Sequence, residues 1–196
     1  MAYLIASELR SIGRSRSTTK GFKSADEFLQ KDPGKFSSAK RYDIFLSHSY
    51  LDAEIIAGLC ILLESLNLTV YVDWREDKQL DRQSVTRETA ELLRTRMKAC
   101  RSMLYALSLN AGESKWMPWE LGYFDGGGNP AIAIVPIEDR QISSSSFSRQ
   151  GYLLLYPYLE LNSLLTGQKE LRIRPNQQQY IELKSWISGS KIFKAI

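Results

Sequence analysis

At 196 residues, with 43% hydrophobic and 24% charged residues, the chain can bury one core of ordinary size, and no apolar run approaches the roughly 18 residues a membrane span requires. The formal charge is +4, but residues 1–41 carry nine Lys or Arg against four acids, so residues 42–196 net −1. The basic balance belongs to the N-terminal segment, and the remainder has no surplus of the kind a nucleic-acid groove needs.

Leu4, Ile5, Leu9 and Ile12 recur at helical spacing, so a short amphipathic helix is expected over 1–13, with a second from Ser24 until Asp32-Pro33-Gly34 stops it. Residues 1–41 read as a basic N-terminal extension: a flexible arm, or a contact for an oligomer or partner. The globular domain is expected over 42–196. It opens with the strand Tyr42–Ser47, and apolar residues from Ile55 to Leu66 then mark an amphipathic helix ended by Asn67. Leu68–Asp73 is a second strand, and strand, helix and strand within about thirty residues make a parallel βαβ unit.

Trp74–Leu80 is a charged loop, and Asp81–Met97 a second helix. Ser102–Ser108 is a third strand, followed by a helix through Trp116 and Glu120 that Gly126-Gly127-Gly128-Asn129-Pro130 stops. Those glycines follow a helix rather than precede one, which argues against a phosphate loop. Ala131–Ile137 is a fourth strand, Ser143–Ser146 a surface loop, Tyr152–Tyr156 a short fifth strand and Gln177–Ser188 a last helix. The pattern predicts an α/β fold with a doubly wound sheet of about five parallel strands.

Ligands of such sheets bind outside the carboxyl ends of the strands. Ser47 and the single histidine, His48, follow the first strand, Asp73 and Trp74 the second, and Ser108 the third; the turn from Trp116 to Glu120 lies beyond the same edge. Each has an ordinary structural explanation, but their convergence on one lip singles it out. Cys60 and Cys100, forty residues apart, have neither metal nor redox spacing and suit a reducing, cytoplasmic setting, and one histidine offers no metal cluster.

The runs Y-D-I-F-L-S-H at 42–48 followed by Asp52, L-T-V-Y-V-D at 68–73 with its charged loop, and S-K-W-M-P-W-E-L at 114–121 resemble the first strand, the BB-loop region and the glutamate motif of Toll/interleukin receptor (TIR) domains. The resemblance spans roughly residues 42–190 and implies a flavodoxin-like, five-stranded, mostly parallel sheet flanked by helices. That family contains assembly scaffolds and bacterial enzymes that cleave the nicotinamide glycosidic bond of NAD. For an enzyme, the resemblance implies Glu120 as the catalytic carboxylate and Trp116 as a stacking aromatic. Phe45, Ser47, His48 and Asp73 would line the pocket, and Trp74, Arg75 and Ser84 would close over it. NAD would be substrate, with no further cofactor, and the product would be ADP-ribose or a cyclic isomer, in antiviral signalling through a downstream effector that senses the nucleotide. Homo-oligomers through TIR–TIR contacts are expected, with no nucleic-acid or membrane partner. A non-catalytic TIR interaction module is the alternative, and a deoxyribosyltransferase-like enzyme a more distant one. Pro118 fits a first helical turn but would disturb a helix already under way, which leaves the alignment of Trp116 with Glu120 open.

Overall fold

The short strand β1 (Leu4–Ile5) precedes the helix α1 (Ala6–Thr19), and the central sheet begins with β2 (Tyr42–Ser47). The computed structural model describes residues 3–19, 41–77, 85–128, 131–139, 151–163 and 169–195. After β2 come α2 (Ala53–Ser65), β3 (Val70–Tyr71), α3 (Asp73–Glu76), α4 (Arg87–Lys98) and β4 (Cys100–Leu107). Then follow α5 (Met117–Gly126), β5 (Ile132–Glu138) and β6 (Tyr158–Ser163). Five of these strands pair in parallel in the order β3-β2-β4-β5-β6. This is the flavodoxin-like order, in which the chain leaves β2 to one side for β3 and to the other for β4, opening a crevice at the carboxyl ends of β2 and β4.

Alternation along the strands divides the core into two layers. Ile44, Leu46, Leu104, Ala106, Ala133 and Val135 face α1 and α2, whereas Phe45, Met103, Tyr105, Ile132 and Ile134 face α4 and α5. Both layers are needed because a parallel sheet is apolar on both faces and must be covered on each.

Residues 4–19 are not a flexible arm. β1 adds to β5 in parallel, with Leu4 opposite Ile137 and Ile5 opposite Glu138, and Leu4 and Leu9 are buried in the core. Helix α1 lies against α2 so closely that a Cβ at Gly58 would stand 2.0 Å from the Leu9 carbonyl oxygen, and one at Gly13 would stand 2.6 Å from that of Glu54. Arg14 closes the contact with two hydrogen bonds to Glu54, at 2.9 and 2.7 Å. Helical spacing showed the amphipathic stripe, but spacing carries no information about what a stripe packs on. The second helix expected over 24–32 and the Ser143–Ser146 loop lie outside the described residues.

Two further expectations are corrected toward the C-terminus. Tyr152–Tyr156 is not a strand: Gly151–Leu155 forms a 3-10 turn that leaves Leu154 and Leu155 exposed, and the fifth parallel strand is β6. Gln177–Ser188 is not one helix. Its first part is β8 (Gln179–Glu182), which pairs antiparallel with β7 (Lys169–Arg174), and only Leu183–Ile187 turns helical, as α6. Strand β7 pairs antiparallel with β6 over six residues, and β9 (Lys194–Ala195) adds to β8. The sheet thus continues past its parallel block into an antiparallel edge. Ile181 supplies one apolar contact that either a strand or a helix would explain, and pairing with β7 decides it.

Candidate active site

Helix α5 begins where the carboxylate is needed. Ser114 Oγ accepts a hydrogen bond from the Met117 N–H at 3.3 Å, Pro118 occupies the first turn where no backbone donor is missed, and the Glu120 N–H donates to the Trp116 carbonyl at 2.8 Å. Pro118 therefore does not disturb the alignment: the helix starts with Trp116 as its cap, and Glu120 lies one turn on. An acid in the first turn is favoured by the helix dipole.

That turn aims Glu120 at the end of β2. Ser47 Oγ donates to Glu120 Oε2 at 2.6 Å, and both residues are fully buried. Such a bond to an ionised carboxylate is of the strong class and fixes the carboxylate's rotation. Trp116 is 3% exposed, edge-on to Trp119 with ring centroids 5.3 Å apart, and packed in the same layer as Phe45 and Met117. Phe45, also fully buried, stacks on Tyr71 at 5.3 Å. In this structure both aromatics are walls of the site and present no open face.

His48 Nδ1 lies 2.8 Å from the Leu46 carbonyl, which can only accept, so this nitrogen carries a proton. Nε2 faces Asp73 Oδ1 at 3.3 Å, with both side chains shut away from water. The contact ties the end of β2 to the start of α3 and is an ion pair when the ring carries its second proton.

No family model matches the chain. It is 45% identical to "Probable 3' cyclic ADP-D-ribose synthase ThsB'" of Bacillus cereus (strain MSX-D12) over 164 residues, 83% of this chain and 84% of that protein. It is also 33% identical to "Putative cyclic ADP-D-ribose synthase TIR2" of Cytobacillus dafuensis over 85 residues, 43% of this chain and 22% of that protein. The chain belongs to the TIR family of cyclic ADP-ribose synthases.

Within this TIR fold, Arg75 is held by the elements that flank the second strand. Its guanidinium is bound to Glu64 on α2 and to the Val70 carbonyl, so it braces the second strand rather than reaching over the pocket. Ser84 and the Trp74 side chain lie outside the described residues. The residue that follows α3 is anchored: Asp77 receives Arg96 of α4 through Nε at 2.7 Å and Nη2 at 2.6 Å, and the Tyr71 hydroxyl at 2.7 Å. Burial works against the Arg96 charge, and Asp77 with Tyr71 outweighs it, raising the guanidinium's pKa.

Two residues of this lip were not singled out for the pocket by the sequence. Asp52, just after β2, accepts from Ser108 Oγ and from Asn110 Nδ2 at 2.7 Å, locking together the loops that leave β2 and β4. Tyr105 stands opposite Ser47 in the β2–β4 register, fully buried on the face that carries Glu120. Only strand register reveals it, since Ser47 and Tyr105 are 58 positions apart in the chain.

Proposed function

We propose that the protein converts NAD to nicotinamide and a cyclic ADP-ribose, with Glu120 as the catalytic carboxylate. The observation that carries this is the buried Ser47–Glu120 pair at the switch point of the sheet, in a chain 45% identical to a protein named as a 3' cyclic ADP-D-ribose synthase. Departure of neutral nicotinamide leaves an oxocarbenium-like ribose carbon. A carboxylate fixed beside it stabilises that charge, the more so out of water. A hydroxyl of the same molecule then bonds to that carbon and gives up its proton, so nicotinamide, a cyclic product and one proton leave per NAD. Full burial of Glu120 supports the internal nucleophile over water and hence a cyclase over a hydrolase. The relative's name supports the 3' isomer as product.

Phe45, Trp116, His48 and Asp73 form the walls in this reading, and Trp74 and Ser84 complete the substrate contacts. Two buried free thiols and no described helix long and apolar enough to cross a membrane accord with a cytoplasmic enzyme. Its place is antiviral signalling, where the cyclic product is read by a separate effector. Tyr50, Leu51 and Leu109, 46%, 50% and 42% exposed beside the Asp52 lock, support assembly of copies around the site lip. Specific activity then rises with enzyme concentration; constant specific activity from a protein that sediments as a monomer would count against assembly. Chromatography of a reaction with NAD tests the cyclase reading: nicotinamide and a cyclic isomer in equal amounts are expected, and ADP-ribose as the sole second product would refute it.

A further inference from the structure

One buried hydroxyl in the site makes no hydrogen bond of good geometry among the described residues. Tyr105 leaves the same face of the sheet as its register partner Ser47, toward α5. The residue is fully buried, and among the described residues its hydroxyl lies within reach of Tyr152 without meeting any partner in hydrogen-bond geometry. Burial above all raises the phenol's pKa, and the nearby Tyr152 and Glu120 raise it further. The phenol therefore stays protonated at any physiological pH and is available as a donor. A buried hydroxyl left without a partner is destabilising, and such groups in native proteins call for an explanation.

The neighbours define what would satisfy it. Glu120, when ionised, can only accept hydrogen bonds, and the phenol beside it can donate. A phosphate or carbonyl oxygen would suit the phenol but not the carboxylate, and an ammonium group the reverse. A hydroxyl suits both, because it accepts through its oxygen and donates through its proton. We propose that Tyr105 is a substrate-binding residue of this site, its hydroxyl donating to a nicotinamide-ribose hydroxyl oxygen of NAD whose proton is accepted by Glu120. This rests on the reading of Glu120 as the catalytic carboxylate.

The test is Tyr105→Phe, which removes one oxygen and keeps the ring. A ligand role predicts that the melting temperature of the free protein stays level or rises, while KM for NAD increases about tenfold and kcat changes less. It also predicts that this penalty disappears with an NAD analogue lacking the nicotinamide-ribose 2'-hydroxyl or with the one lacking the 3'-hydroxyl, which names the hydroxyl held. An unchanged KM overturns the proposal, as does a penalty that persists on both deoxy analogues. A fall in melting temperature with kcat and KM intact assigns the hydroxyl to structure and also overturns it. Full turnover by Glu120→Gln would instead refute the catalytic reading, and the deoxy-analogue comparison would still decide whether the phenol touches substrate.

Discussion

Ser47 Oγ donates a 2.6 Å hydrogen bond to Glu120 Oε2, joining the last residue of β2 to the first turn of α5 across 73 positions of chain. The serine fixes the orientation of an otherwise rotatable carboxylate. Ser47→Ala should lower kcat for nicotinamide release roughly ten- to hundredfold, in line with about 1.5–3 kcal/mol for a hydrogen bond to a charged group. Steady-state kinetics will check this: a change in KM alone would mean the serine serves binding rather than the carboxylate.

Asp77 is held by the two nitrogens of Arg96 and by the Tyr71 hydroxyl, with the Asp77 side chain 2% exposed. Removing one member of a buried ion pair strands the other charge, so Asp77→Ala should destabilise the fold by about 3–5 kcal/mol. Tyr71→Phe should cost less, about 1.5–3 kcal/mol, because the ion pair survives. Urea unfolding of both variants would reveal this order; equal losses would show that the hydroxyl, not the guanidinium, holds Asp77.

Gly58 lets α1 rest directly on α2, and a methyl group there has only the Leu9 backbone to displace. Gly58→Ala would raise helix propensity on an exposed helix. Here it should destabilise by about 1–3 kcal/mol through overpacking, lowering Tm by roughly 2–4 °C per kcal/mol. A neutral or higher Tm in calorimetry would mean that α1 is not firmly seated on α2.

Burial raises the Cys60 thiol to about 12, and it likewise pushes the Cys100 thiol well up. Thiolates are the reactive form, so both residues should resist iodoacetamide at pH 8 in the native protein and label fully in urea. Mass spectrometry showing rapid native labelling of either would contradict the packing around it.

The site was legible in the sequence where chemistry and spacing coincide. Strand-end positions placed Ser47, His48 and Asp73 on one lip, and the S-K-W-M-P-W-E-L run placed Glu120. Arg75 was assigned to the pocket on its position in a charged loop. Its actual partner, Glu64, lies on the preceding helix, and local sequence does not encode which way a long side chain turns. Tyr105 was invisible for the opposite reason, because its relation to Ser47 exists only through strand register. In the fold, periodicity found the parallel strands that carry strong apolar runs. It misread Gln179–Glu182, where pairing with β7 overrides local preference, and it took an apolar run at 152–156 for a strand although Leu154 and Leu155 face solvent.

The most direct test of the account is nicotinamide release from NAD by the parent chain and by Glu120→Gln, both at high protein concentration, with circular dichroism to show that the fold is retained. The account predicts a folded variant with release reduced at least about 10²-fold, the scale expected when a group that stabilises developing charge is removed. A folded Glu120→Gln protein releasing nicotinamide at the parent rate would contradict it.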